Sequence, residues 1–405
     1  MDKKFFLHIG CGKTGSSALQ LWLNHIAPEL RAAGCHYPTF MPGKLPDYAI
    51  TSGNGIHLIR ALDNGSLRPF LAEIAGKAEG CDILFSSEQF QRYTTDTRHA
   101  LEQLKEAIAE IGYRPVIVAY VRDLYDIVYS SYLQGVKRHF YTVSFREWGC
   151  ARQDIQQFDV VRLWAGHFDA IELIHYDSER EMLEKSFCRA LGIDASALPP
   201  MAKARINRSL APAETELMLF VNRRLIEAYH LPHINMGAHL SDALIMADPE
   251  LSTPILLDHE VLAHLTTTFT GEVDWINATF FGGENRLRLF SAEGKEVVEE
   301  QPPMPSCYRI MLEQLFHRAP ILTEADSYAI TRSGGYNPER AGVPQIVNIG
   351  RLFYRCATIL HNVPDAGAQA DTDTLLQLAK PFSPPEHVEL VRLIGELEQQ
   401  RETKG

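Results

Sequence analysis

Paired cysteines are what this chain most plainly lacks. Its seven cysteines, Cys11, Cys35, Cys81, Cys150, Cys188, Cys307 and Cys356, are odd in number, scattered, and form no C-x-x-C pair. That spacing argues against a disulfide framework and a structural zinc site, so free thiols in a reducing compartment are expected. Long apolar runs are also missing. None approaches the ~20 residues of a membrane span. The apolar stretch after Met1-Asp2-Lys3-Lys4 is too short for a signal peptide, so a cytoplasmic placement is expected. Positive charge is in deficit: 39 Lys and Arg stand against 51 Asp and Glu, a net charge of −12. Nucleic-acid affinity comes largely from phosphate neutralisation, so an acidic chain is excluded as a general nucleic-acid binder. Any anion site must be a local basic focus. There is no internal repeat and no low-complexity run.

What is present is an ordinary globular composition over 405 residues, 45% hydrophobic and 22% charged. That is enough for one large domain with an appendage, or for two domains. Apolar runs at 4–9, 83–85, 115–121 and 170–176 read as strands. Helical patterns occupy the intervals: 14–33 with Pro28 as a breaker, a short one at 57–62, then 67–79, 96–111, from Leu124 onward, 155–168 and 178–191. Strands alternating with helices predict a parallel, right-handed α/β/α sheet. Further helices are predicted from Ser209 or Ala211 to Tyr229, over 257–271, and over 305–317, 345–360, 373–379 and 385–402. The domain organisation expected is an α/β domain over 1–283 and a mostly helical C-terminal region over 284–405.

The most informative stretch is Phe5-Phe6-Leu7-His8-Ile9-Gly10-Cys11-Gly12-Lys13-Thr14-Gly15-Ser16-Ser17-Ala18-Leu19-Gln20. It reads as a strand, a glycine-bearing turn, and a helix whose first turn carries hydroxyls. Glycines let the backbone turn sharply and approach a ligand. Lys13 adds a positive charge beside a helix N-terminus that already favours an anion. The ATPase-type pattern G-x-x-x-x-G-K-[ST] fails, because Leu7 stands where its first glycine belongs.

His8-Ile9-Gly10 followed by Lys13-Thr14-Gly15-Ser16-Ser17 and Leu19-Gln20 resembles the phosphosulfate loop of the PAPS-dependent sulfotransferases, in particular their bacterial branch. (PAPS is 3′-phosphoadenosine 5′-phosphosulfate.) The resemblance covers about residues 4–283 and implies a P-loop-NTPase-like sulfotransferase fold. It implies that Gly12, Lys13, Thr14, Gly15, Ser16 and Ser17 hold the phosphosulfate. Arg122, directly after an apolar strand, and Ser130 match the spacing of the family's 3′-phosphate ligands. A guanidinium offers forked donors to a phosphate and a helix hydroxyl adds another. A second reading pairs Arg122 with Asp123 or Asp126. Asn207 and Ser209 resemble an Asn-x-Ser-Leu segment that closes over the 3′-phosphate or adenine; alternatively Ser209 is a helix N-cap.

Glu88 follows the second main strand, where glycan-modifying members of the family carry a glutamate. Sulfuryl transfer to a hydroxyl needs a base, and Glu88 serves as one or merely caps the strand end. Lys13 then stabilises charge on the departing oxygen. No metal is expected. The donor implied is PAPS, and the acceptor a small molecule or glycan. A P-loop kinase or NTPase, and a non-catalytic nucleotide-binding or scaffold member of the fold, are the alternatives. The acceptor and the oligomeric state are not legible. Tyr132, Lys137, Arg138, His139, Phe140 and Tyr141 form a basic-aromatic stretch that reads as an acceptor contact or a solvated helix end.

Overall fold

Strand β1 (Lys3–His8) lies at the centre of a parallel sheet and organises its first half. Its neighbours are β3 (Asp82–Ser86) and β4 (Tyr113–Val121), with Phe5 opposite Ile83 on one side and opposite Pro115 on the other. β5 (Ile171–His175) extends the sheet beyond β4, and β2 (Cys35–His36) beyond β3. The five strands run in the order β2-β3-β1-β4-β5. The computed structural model describes residues 3–40, 51–201, 208–229, 250–300 and 388–402, with Ser241, Ile245, Tyr354, Asp373 and Leu376 besides.

Period-two alternation along β1 builds two cores. Phe5 and Leu7 face one layer with Ile83, Phe85, Ile117 and Ala119. There they meet α3 (Gly55–Asp63), α4 (Leu67–Ala78), α5 (Arg98–Glu110) and α8 (Gln156–Ala165). Phe6 faces the other layer with Leu84, Val118 and Tyr120, against α1 (Ser16–His25), α2 (Ala27–Ala32) and α10 (Leu183–Leu191). A central strand covered on both faces needs apolar residues at every position, as β4 shows from Val116 to Val121. Each such side chain contributes roughly 1.5–3 kcal/mol by leaving water.

Several elements differ from the sequence reading. The helix expected over 14–33 starts at Ser16 and breaks at Ile26, and Pro28 falls in the first turn of α2. A proline there removes an N–H that has no intrahelical partner anyway. The edge strand β2 lies in a stretch read as loop; two residues carry too little pattern to be seen. The helix over 178–191 is three pieces: α9 (Tyr176–Glu179), a 3-10 turn (Arg180–Met182) and α10.

Contacts divide the chain into two compact units. The first combines Met1–Val128, Cys150–Ala204 and His259–Ser291, and so contains the whole five-stranded sheet. It also contains α12 (His259–Phe280), which runs well past the predicted end at 271. The second combines Tyr129–Gly149, Arg205–Asp258 and Ala292–Gly405. It holds α11 (Pro212–Tyr229), a short parallel pair β6 (Ile255–Leu256) and β7 (Val297–Val298), and α13 (Val388–Glu402). α6 (Leu124–Arg138) and α7 (Phe145–Cys150) carry the chain across the boundary. In the second unit Asn222 donates to the carbonyls of Val136 and Tyr141, both at 3.0 Å. Tyr132 and Lys137 are buried there, so that part of the basic-aromatic stretch is packing. The helices predicted over 305–317, 345–360 and 373–379 lie outside the described residues apart from Tyr354, Asp373 and Leu376.

Candidate functional site

The chain leaves β1 toward β2 and β3 on one side, whereas β4 leads to β5 on the other. Strand order therefore reverses beside β1, and ligands of open α/β sheets bind outside the carboxyl ends of the strands at such a point. The loop after β1 occupies it. Gly10, Lys13 and Gly15 all have left-handed backbone, with φ of 39°, 69° and 74°. Gly15 is the N-cap of α1 and supplies no side-chain acceptor, so the first-turn amides keep their capacity for an anion. At Gly15 an added Cβ would stand 2.8 Å from Leu183 Cδ2 and 3.3 Å from Tyr176 Cε2. Only glycine fits both that space and that φ.

The loop's side chains divide in role. Thr14 is buried and its hydroxyl donates to the Cys11 carbonyl, closing the turn on itself. Its Oγ1 also lies 3.4 Å from Ser16 Oγ. Ser17 is exposed, and Gly12 and Lys13 are half-buried. Gln91, which no sequence signal marked, donates from Nε2 to the Gly10 carbonyl and so pins the loop from the β3 side. Cys11 is a packing residue: burial, and then the Glu88 charge, push its thiol up to about 12.

Glu88 opens the 3-10 turn Glu88–Arg92 directly after β3. The preceding Ser87 accepts from the Gln89 N–H at 3.1 Å and donates to the Ser52 carbonyl at 2.7 Å. Asn54 clamps the same strand end: it accepts from the Ser86 N–H at 2.8 Å and donates to the carbonyls of Leu84 and Pro38. So anchored, Glu88 lies against the loop, and a Cβ on Gly10 would sit 3.2 Å from its Cγ. Burial raises its carboxyl above the ordinary carboxylate range, and the Lys13 charge and a hydrogen bond from Ser16 only partly offset this. A half-buried carboxylate with a raised pKa, facing a lysine at a helix N-terminus, can accept a proton from a hydroxyl.

Arg122 follows β4. The side-chain amide of Gln157 holds both its backbone groups, accepting from the N–H at 2.9 Å and donating to the carbonyl at 3.0 Å. The guanidinium donates from Nε to Asp177 Oδ1 at 3.3 Å and from Nη1 to the Lys13 carbonyl at 3.2 Å. Asp126 Oδ1 stands 3.7 Å away, and the Tyr176 ring 5.5 Å. The pairing with Asp126 that the sequence allowed is therefore present, and Asp177 is the closer partner. Asp123 turns away to His175 Nε2 at 2.9 Å and to the Arg288 N–H at 3.0 Å. Asp123, His175 and Asp177 bring three possible ligand atoms within 4.8 Å of one another, where a cation would find one nitrogen and two oxygens.

Within the first unit the structure thus brings together the Lys13 loop, Glu88 and Arg122, from the ends of β1, β3 and β4. Ser130 lies half-buried on α6 and Ser209 is exposed ahead of α11; both belong to the second unit. Asn207 lies outside the described residues. Tyr176 and Asp177 were missed, although they directly follow β5, where the strand-end rule looks for site residues. Set against protein-family models, curated proteins and solved structures, the chain matches none of them.

Proposed function

We propose that this protein is a PAPS-dependent sulfotransferase with a P-loop-like fold, acting on a hydroxyl of a carbohydrate or small molecule. The observation that carries the reading is the convergence of Lys13, Glu88 and Arg122 on the carboxyl ends of adjacent parallel strands, around a glycine loop at the switch point. In the reaction the acceptor oxygen attacks sulfur, Glu88 takes its proton, and the bond from sulfur to the 5′-phosphate oxygen breaks. Lys13 and the first-turn amides of α1 stabilise the charge developing on that oxygen. The product nucleotide is 3′,5′-ADP. Arg122 offers five N–H donors, two of them engaged by Asp177 and the Lys13 carbonyl, and grips the 3′-phosphate with the others. The sequence resemblance alone assigns Ser130 to that phosphate, and Asn207 and Ser209 to the phosphate or the adenine.

Calorimetric titration with 3′,5′-ADP tests the reading. Lys13→Ala and Arg122→Ala should each weaken binding about tenfold or more, as expected for losing a charged hydrogen-bonding partner. Wild type binding no tighter than either variant ends the proposal. A second reading, metal-assisted phosphoryl transfer, is favoured by the Asp123–His175–Asp177 cluster, since such reactions place acidic metal ligands at strand ends. A melting shift with magnesium-ATP and none with 3′,5′-ADP selects it.

A further inference from the structure

The donor loop is held from outside, and the hold begins at β5. Lys13 is not a glycine, yet its φ is 69°. A side chain in left-handed backbone costs free energy and persists only where surrounding contacts over-determine it. One such contact is the 3.2 Å hydrogen bond from Arg122 Nη1 to the Lys13 carbonyl. Arg122 in turn is oriented by Asp177, whose Oδ1 accepts from its Nε at 3.3 Å. The other oxygen of Asp177 accepts from the Asp123 N–H at 2.8 Å, fixing the carboxylate relative to the end of β4. The Asp177 side chain is 6% exposed and that of Arg122 18%. In such shielded surroundings a carboxylate–guanidinium contact is directional and little screened. Tyr176, one residue earlier, supports the same parts: its ring lies 5.5 Å from the guanidinium and against the position of Gly15.

We propose that Asp177 is the positioning residue of this site: through Arg122 it holds the Lys13 peptide in its left-handed conformation and so presents the loop to an anion. Asp177 touches no ligand in this role. The relay itself is independent of which anion the loop binds. Its consequence for nucleotide affinity rests on the sulfotransferase reading above.

Hydrogen exchange followed by mass spectrometry on the full-length protein, without ligand, reads the relay directly. Asp177→Asn keeps the acceptor for the Asp123 N–H and removes the charge that orients Arg122. The peptide covering residues 10–17 should exchange about tenfold faster than in wild type, with peptides from α4 and α5 unchanged. Arg122→Gln should produce the same acceleration, and the double variant no more than either single one, because both break one chain of contacts. Acceleration confined to residues 171–180, additive effects of the two substitutions, or faster exchange throughout the chain in both variants overturns the proposal. In a second arm, Asp177→Asn should weaken 3′,5′-ADP binding about tenfold. If wild type does not bind 3′,5′-ADP but the loop responds as described, the sulfotransferase reading fails and the relay stands. If wild type binds and Asp177→Asn binds equally tightly with an unchanged loop, the relay fails and the reading stands.

Discussion

Glu88 is where the proposed function and the stability of this molecule pull in opposite directions. Burial raises its carboxyl above the ordinary carboxylate range. A group whose folded pKa exceeds its unfolded value contributes stability when protonated, and that contribution is lost as pH rises through the folded pKa. In its ionised form Glu88 therefore costs stability, a cost that the proposed general-base role would turn to use. Glu88→Gln should raise the melting temperature at pH 7 and give no gain at pH 3; under the sulfotransferase proposal it should also lower sulfuryl transfer by about 10²- to 10⁴-fold, the usual worth of a general base. Under the same proposal the acid limb of the transfer rate should lie above the ordinary carboxylate range. Equal melting temperatures of the two proteins at pH 7 would contradict this account of Glu88. Glu88 was legible as a candidate from its place after a strand. Its contact with Ser16 was not, because that depends on how two strand ends come side by side.

At the scale of elements, the 51–54 segment is what places the β3 end. Gly53 has φ 73°, and a Cβ there would stand 2.0 Å from the Ser86 carbonyl oxygen, so the backbone approach is possible only for glycine. Asn54 then serves three backbone groups, the Ser86 N–H and the carbonyls of Leu84 and Pro38. Asn54→Ala leaves the buried Ser86 N–H and Leu84 carbonyl without that partner, at about 1–3 kcal/mol for each orphaned group. Urea unfolding should show a loss of that order, and a loss below about 0.5 kcal/mol would refute the clamp. The Gly53-Asn54-Gly55 cluster was readable as a turn, but its attachment to β3 was not. Turn chemistry is local, whereas the Asn54 bonds to Leu84 and Ser86 span about thirty residues of sequence.

For the molecule as a whole, His8 links acid stability to the sheet. It is fully buried beneath the loop, with Nδ1 at 2.8 Å from Ser86 Oγ and its ring edge-on to Tyr120 and Phe187. Burial lowers its pKa from 6.5 to about 3. A depressed folded pKa gives stability that is present above the unfolded value and lost as pH falls toward the folded one. Between pH 6.5 and about 3 this group should remove up to about 1.4 kcal/mol of stability per pH unit. His8→Gln should flatten the pH dependence of urea unfolding in that window relative to wild type. Parallel curves for the two proteins would show that His8 is not the titrating group. Among the described residues no helix is long and apolar enough to cross a membrane.

The sequence by itself determined the alternation of strands and helices, the central strands β1, β3 and β4, and the glycine-bearing loop from β1 into the start of α1. These are set by side-chain period, turn residues and the chemistry of a helix start, all of which act within a few residues. Tertiary structure alone decided the edge strand β2, the strand order that creates the switch point, and the partners of the site. The bond from Arg122 to the Lys13 carbonyl joins groups 109 residues apart. No local pattern encodes such a contact. It exists because β4 packs beside β1, and that pairing follows from burying both faces of the sheet at once.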